Sequence, residues 1–213
     1  MFKKVMNINN QTQRSPGRPK QAQDDLSIYE TIIHTASKLF MENGYEPVTL
    51  QQIANECNVS KPSIYYHFTS KSELFKVAIT TMLNNVHNNV SRLLKESDSL
   101  EAGLLRVAEA RIANPHSEVE TILKEAESSL SHGQIHEIRI TEQRIYQALS
   151  DYFKVWMDKG KLRKEDPLFL AHAFSSLLLI SNRADLMQKY ATRNEPAKKV
   201  VDMFLSGTLL FEK

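Results

Sequence analysis

The sequence contains little of what disulfide-rich or strand-rich proteins require. Its 213 residues include one cysteine and six glycines. A single cysteine excludes an intramolecular disulfide framework and suits a reducing compartment, so we expect a cytoplasmic protein. Helix-forming residues dominate, and no alternating apolar pattern is long enough to indicate a sheet. The sequence therefore predicts an all-α fold.

Long apolar runs are also missing. The amino terminus lacks the continuous apolar segment of a secretion signal. The most apolar stretch, residues 168–180, is interrupted by His172, Ser175 and Ser176 and is too short to span a bilayer. We therefore expect no association with a membrane.

Residues that could hold a metal or act as a nucleophile are sparse. His132 and His136 stand four apart beside Glu137, and on one continuous helix they could present metal ligands. Gly133 favours a helix start at this point instead, and no cysteine or third spaced ligand lies nearby. No recognisable nucleophile turn is present either. The sequence thus predicts no metal site, no cofactor, no catalytic residue and no enzymatic activity.

Residues 48–74 form the most informative segment, because they predict two short helices joined by a tight turn. Thr49 can cap the first helix, whose apolar residues follow at helical spacing. Asn58 stands where the chain must turn sharply, and asparagine tolerates a left-handed backbone better than most residues. This pattern indicates a helix-turn-helix.

The second of these helices has one apolar side and one polar side. Ser60 can cap it, Pro62 fits its first turn, and Ile64 and Phe68 form the side expected to be buried. The residues left facing outward are Lys61, Ser63, Tyr65, Tyr66 and His67. These side chains suit base edges and phosphate oxygens. The alternatives are a polar helix of an ordinary bundle and a structural interaction protein, but two outward tyrosines argue against both.

From Ile32 to Leu74 the sequence resembles the DNA-binding domain of the tetracycline-repressor (TetR) family. The resemblance is carried by Asn43-Gly44-Tyr45, by the run from Ile64 to Phe68, and by Ser70-Lys71-Ser72-Glu73-Leu74. Two positions depart from the family pattern, with Asn58 in place of the common glycine and Pro62 where glycine is frequent. Neither departure blocks the helix geometry.

The resemblance implies a transcriptional regulator, most often a repressor, that a small molecule releases from a palindromic operator. It also implies an amino-terminal three-helix helix-turn-helix domain plus a carboxy-terminal helical bundle for ligand binding and dimerisation. We expect a basic flexible arm at 1–22, the DNA-binding domain at 23–72 and the ligand-binding and dimerisation domain at 73–213. Wide apolar stripes on the last two predicted helices favour burial against a second copy in a homodimer. The alternative is that these stripes complete the core of a monomer.

The family's contacts with double-stranded DNA can be carried over by position. Lys71, at the amino-terminal end of the fourth helix, resembles a phosphate-binding residue. Ser70 is expected to cap that helix, with Glu73 completing a capping box. Tyr66 and His67 resemble backbone-contacting positions. The positions that resemble base-contacting ones are Gln51, Lys61, Pro62, Ser63 and Tyr65. The complete predicted DNA-binding set is Arg18, Thr49, Gln51, Lys61, Pro62, Ser63, Tyr65, Tyr66, His67 and Lys71.

The effector is expected in a pocket of the carboxy-terminal bundle, and the long apolar runs suggest a hydrophobic or amphipathic molecule. The candidate polar and aromatic pocket residues are His116, Arg139, Tyr146, Tyr152, Trp156 and His172. For each of them, ordinary packing or helix capping is the alternative role. The helices expected after the DNA-binding domain span about 71–95, 100–113, 117–130, 134–159, 167–191 and 196–211.

The first twenty residues carry a separate signal. They contain five cations and no acid, whereas residues 21–80 contain four Lys and Arg against seven Asp and Glu. Arg18, within Pro16-Gly17-Arg18-Pro19-Lys20, resembles segments that place an arginine in a narrow minor groove. The alternative is a solvated tail.

Deleting residues 1–20 should weaken DNA binding and flatten its salt dependence, because those cations would no longer displace counterions from phosphate. The measurement is the slope of log affinity against log salt concentration for the full-length and truncated proteins on one duplex. Equal slopes would contradict a role for the arm in DNA binding.

Overall fold

The computed structural model describes residues 20–114 and 118–209, with side chains from residue 25 onward. Helices joined by turns and loops make up that part of the chain, together with an isolated antiparallel bridge between Leu162 and Leu209. The predicted all-α fold is confirmed. The α-helices are α1 (Lys20–Asn43), α2 (Leu50–Glu56), α3 (Lys61–His67), α4 (Lys71–Lys95), α5 (Leu100–Ala113), α6 (Val119–Ala126), α7 (His132–Asp158), α8 (Pro167–Leu178), α9 (Ala184–Met187) and α10 (Asn194–Thr208). Two 3-10 segments, Glu127–Ser129 and Leu179–Asn182, follow α6 and α8.

Side-chain caps determine where most of these helices begin. Thr49, Ser60 and Ser70 cap α2, α3 and α4 as the sequence predicts. Ser131 and Gln134 form a complete capping box, so α7 begins at His132, two residues earlier than expected. Gly133 therefore lies within the first turn of this helix.

The described residues bury two apolar cores. The first joins α1 to the early part of α4 with α6 and the start of α7, and it includes Phe40, Phe75 and Ile122. The second joins the rest of α4 with α5, α7, α8 and α10 around Phe153 and Phe174. Helices α4 and α7 contribute to both cores. Helix α6 packs with the DNA-binding helices although it lies far from them in sequence.

The prediction of one helix over residues 167–191 is wrong in its extent. Helix α8 ends at Leu178, a 3-10 segment follows, and Arg183 has a non-helical backbone with φ −90° and ψ 86° before the short α9. The buried Ser181 accepts a hydrogen bond from the Arg111 guanidinium at 3.2 Å, which favours this irregular path. Helix α10 likewise ends at Thr208 instead of about residue 211, because Leu209 is extended and pairs with Leu162.

The apolar stripes of the last two long helices are mostly buried within the chain itself. Phe174, Val201 and Phe204 belong to the second core, so part of each stripe is buried within one chain. These helices leave two large apolar residues exposed, Phe169 of α8 and Met203 of α10, with exposed fractions of 61% and 63%. Among the described residues, no helix combines the length and the apolarity needed to cross a bilayer.

Candidate nucleic-acid interface

Local hydrogen bonds define where α2 and α3 begin. The Gln52 amide donates to Thr49 Oγ1 at 3.1 Å and the Ser63 amide donates to Ser60 Oγ at 3.2 Å. Between the two helices Asn58 has φ +54°, the left-handed conformation predicted for it. Each short helix is thus held at its start and at the intervening turn.

Helix α3 buries one side and exposes the other. Ile64 is fully buried, whereas Tyr65 and Tyr66 are 51% and 77% exposed. Lys61 and Pro62 are also exposed, and the Lys61 ammonium lies 5.9 Å from the centroid of the Tyr65 ring. The structure therefore places a cation and two phenol rings side by side on the open side of a helix-turn-helix.

The remaining residues predicted on these two helices already have partners in the free protein. Thr49 caps α2, and the Ser63 hydroxyl is 2.8 Å from the Ser60 hydroxyl. Gln51 donates to the Asn55 side chain at 2.9 Å. His67 is half-buried, with its ring centroid 5.7 Å from that of Tyr29. These four positions have clear structural roles, which any DNA contact would have to share.

Lys71 begins α4 and folds back over the turn between α1 and α2. Its ammonium donates to the Glu46 carbonyl at 3.1 Å and lies 4.2 Å from the centroid of the Tyr45 ring. Partial burial lowers the pKa of Lys71. The amine is therefore held by the turn and by an aromatic face at the amino-terminal end of a 25-residue helix.

The predicted capping box at the start of α4 is only half formed. Ser70 Oγ accepts from the Glu73 amide at 3.1 Å, as expected of a cap. The Glu73 carboxylate accepts instead from the amide of Thr69, at 2.7 Å, and from the Thr69 hydroxyl. Thr69 offers two donors, and these bonds lower the pKa of Glu73.

The candidate effector residues do not form one site. His116, like Arg18 of the arm, lies outside the described residues. Arg139 pairs with Glu120 at 3.1 Å on the surface. The remaining four form two pairs: the rings of Tyr146 and His172 are stacked 4.1 Å apart, and those of Tyr152 and Trp156 meet edge to face at 6.1 Å.

A polar cluster beside Tyr146 was not predicted from the sequence. Arg111 of α5 donates to Ser181, and Glu142 of α7 accepts from the Tyr146 hydroxyl at 3.4 Å. Burial raises the pKa of Glu142 and raises that of Tyr146 to about 12, and burial lowers the pKa of Arg111. The signal in the sequence is Glu142 four residues before Tyr146, a pair that meets on one helix face.

A groove with a volume of about 440 Å³ lies between α4 and α7. We call it the α4–α7 groove, and its walls include His87, Leu94, Lys95, Arg144, Tyr152 and Val155. Tyr152 is the one predicted effector residue in its wall. A smaller cavity of about 210 Å³ lies between α8 and α10, beside Phe169.

The described residues contain no group of three or more His, Cys, Asp or Glu side chains that could hold a metal ion. His132 and His136 are exposed at the start of α7. Gly133 lies in that first turn, as the helix-start interpretation predicts.

Comparison with known proteins points to one class. The family model described as bacterial regulatory proteins, tetR family, matches residues 32–78. The biofilm operon icaADBC HTH-type negative transcriptional regulator IcaR of Staphylococcus aureus (strain Newman) is 26% identical over 198 residues, covering 86% of this chain and 98% of IcaR. The HTH-type transcriptional activator FasR of Mycolicibacterium smegmatis is 30% identical over 79 residues, covering 37% of this chain and 36% of FasR.

Solved structures share the fold. The crystal structure of AibR in complex with isovaleryl coenzyme A and operator DNA matches with a TM-score of 0.66 and 23% identity, covering 83% of this chain and 97% of AibR. At that identity the match shows the fold alone.

The fold and the exposed side of α3 define a helix-turn-helix DNA-binding protein. Residues 32–78 match the TetR family of bacterial regulatory proteins, and the comparisons support a TetR-family transcription regulator. Members of this family are DNA-binding proteins without enzymatic activity, and they bind operator DNA and small-molecule effectors and act as dimers. The predictions of the family, of a DNA-binding transcriptional regulator and of a non-enzymatic protein are confirmed.

Replacing Glu142 with Gln should stabilise the protein at neutral pH. Glutamine keeps an oxygen for Tyr146 and removes a carboxylate whose ionisation is opposed by burial. Because the folded pKa of Glu142 is raised, the wild type loses stability as the pH rises from the unfolded pKa through the folded one. The melting temperatures of the two proteins should coincide near about pH 4 and diverge in favour of E142Q toward about pH 7.

The exposed Glu127 gives a matched control, since Glu127→Gln removes the same charge from the surface. A melting-temperature difference between E142Q and wild type that does not change with pH would contradict the assigned pKa direction.

Proposed function

We propose that this protein is a repressor that binds a palindromic operator and is released from it by a small-molecule effector. The observation that supports recognition of DNA is the exposed side of α3. Lys61, Tyr65 and Tyr66 face outward there, opposite the fully buried Ile64. Repression rather than activation is supported by IcaR, a negative regulator matched over 98% of its length. The activator FasR is matched over 36% of its length.

The contacts with DNA divide into base reading and backbone binding. We assign base reading to Lys61 and Tyr65, the exposed pair on α3, and phosphate binding to Lys71. Lys71 would exchange the Glu46 carbonyl for a phosphate oxygen, a stronger acceptor because it is charged. The other positions proposed to touch DNA are Arg18, Thr49, Gln51, Pro62, Ser63, Tyr66 and His67.

For the organisation of the chain we propose an arm at 1–22, a DNA-binding domain at 23–72 and a ligand-binding and dimerisation domain at 73–213. Helix α6 of the last segment would then pack on the DNA-binding domain, since its apolar side belongs to the first core. The single Cys57 and the function in DNA binding suit a cytoplasmic location.

The homodimer is proposed to form through α8 and α10. These helices expose Phe169 and Met203, two large apolar side chains whose burial against the same surface of a second copy would be favourable. A two-fold dimer would also carry two α3 helices to half-sites about 34–36 Å apart.

The α4–α7 groove is the proposed effector site. Its volume of about 440 Å³ suits a small ligand, and Leu94 and Val155 give it apolar walls while Lys95 and Arg144 supply charge. A hydrophobic or amphipathic molecule that separated α4 from α7 would move the helix that begins at Lys71. Effector binding and DNA binding would then oppose each other through one coupling free energy. The single Trp156, whose ring lies 6.1 Å from that of Tyr152 in the groove wall, can report occupancy by its fluorescence.

Substitutions on the DNA-binding surface should separate sequence choice from general affinity. Lys61→Ala or Tyr65→Ala should reduce discrimination between operator and altered sites by about 1–3 kcal/mol, because these residues are assigned to bases. Lys71→Ala should weaken all sites similarly and reduce the salt slope by about one. Binding of each variant to a panel of duplexes with single base changes measures both effects. A changed base preference in Lys71→Ala would contradict this assignment.

Phe169→Glu should disrupt the dimer, because it places charge in the proposed apolar contact between two copies. Light scattering of the wild type at micromolar concentration should give about twice the chain mass of 24.4 kDa, and the variant should shift toward the monomer. Gln143→Glu adds the same charge on the exposed surface of α7 and should remain dimeric. A monomeric wild type would refute the dimer, and a dimeric F169E would place the interface elsewhere.

A further inference from the structure

A carboxylate from α6 reaches the turn between α1 and α2. The amide of Tyr45 donates to Glu125 Oε2 at 3.2 Å, across 80 residues of sequence. Helix α6 is fixed against the first core by Val119, Ile122 and Leu123, all buried. Glu125 is therefore presented to the turn from a helix that is packed beneath it.

The turn is shaped to receive this carboxylate. Gly44 has φ +84°, a left-handed conformation, and a Cβ atom at this position would collide with the Glu125 carboxylate. The neighbouring Tyr45 is 3% exposed, and its ring meets Phe75 edge to face at 4.9 Å. Tyr45 is thus held by α6 at its amide and by α4 at its ring.

The same turn holds the amine of Lys71. The Tyr45 ring lies under the Lys71 ammonium at 4.2 Å, and the next residue, Glu46, accepts a hydrogen bond from that ammonium at 3.1 Å. Direct contacts therefore lead from Glu125 to Tyr45 and from Tyr45 to Lys71. The two ends of this chain of contacts are a helix of the carboxy-terminal segment and the first residue of α4.

We propose that Glu125 is a positioning residue for DNA binding: through Tyr45 it sets the turn at residues 44–46 and so places the Lys71 ammonium for contact with a DNA phosphate. This inference rests on the proposed role of Lys71. It adds a residue outside the DNA-binding surface whose hydrogen bond controls a contact on that surface. A displacement of α6 would break the hydrogen bond from the Tyr45 amide to Glu125, so DNA affinity would respond to the position of α6.

The test measures binding to a random-sequence DNA duplex at low salt, because phosphate contacts do not depend on sequence. The variants are Glu125→Ala, which removes the acceptor, and Glu125→Gln, which keeps an acceptor oxygen and removes the charge. Glu127→Ala, two residues further along, controls for the loss of a nearby negative charge. Each is measured alone, and Glu125→Ala is also measured with Lys71→Ala. Melting temperatures confirm that the variants are folded.

Glu125→Ala should lower affinity about three- to tenfold relative to Glu127→Ala, a part of what a hydrogen bond to a charged group can contribute. It should also reduce the salt slope toward that of Lys71→Ala, whose own slope falls by about 0.9. Glu125→Gln should bind within about twofold of the Glu127→Ala control, because the bond to the Tyr45 amide is retained. In the Lys71→Ala background, Glu125→Ala should have no further effect, since both changes remove one contact.

Two results would overturn the inference while leaving the proposed function intact. One is an unchanged affinity and salt slope in Glu125→Ala when Lys71→Ala weakens binding. The other is additivity of the two substitutions, which would mean that Glu125 does not act through Lys71. A Lys71→Ala protein with unchanged affinity and slope would instead refute the phosphate contact itself, and the inference with it.

Discussion

Helices α4 and α7 run side by side in the same direction, and each contributes residues to both apolar cores. Contacts between them recur along their length, with Lys76 3.4 Å from Glu137 and Arg144 3.5 Å from Asn84. Because apolar interiors are closely packed, a shift of α4 against α7 cannot be absorbed locally and must reach the amino-terminal end of α4. Lys71 stands at that end and the α4–α7 groove near the other. The proposed coupling, in which effector binding weakens DNA binding, depends on the packing of α4 against α7.

Much of the helix-turn-helix could be predicted because its determinants are local. Thr49, Ser60 and Asn58 act on their own helix ends and turn, so residue type and spacing are sufficient to locate them. Tertiary contacts could not be read in this way. The helix expected to continue to residue 191 breaks near Ser181, which bonds Arg111. Local bonding was predicted only in part, since Glu73 accepts from Thr69 instead of completing a capping box. The apolar residues of α8 and α10 look the same in sequence whether they face their own core or a partner.

The distribution of charge limits how this protein can approach DNA. Residues 21–80 contain four cations against seven acids, so the segment that carries α3 offers little long-range attraction to phosphate. Apart from the five cations of residues 1–20, binding would then depend on a few well-placed contacts, which gives the position of Lys71 unusual weight. Its ammonium is kept at the turn by Tyr45 and Glu46, and the Tyr45 amide is bound by Glu125. Because the Lys71 ammonium is held in place through Tyr45, a change in the position of α6 can alter the affinity for DNA.

The most direct test of the regulator function is selection of fragments from sheared genomic DNA by the purified full-length protein at about 0.15 M salt, where non-specific binding is weak. We predict recovery of a palindromic site upstream of a gene, with half-sites about one helical turn apart, or a multiple of that distance, as required by a two-fold pair of α3 helices. Fragments bound without a shared sequence, or no enrichment over the input DNA, would contradict it.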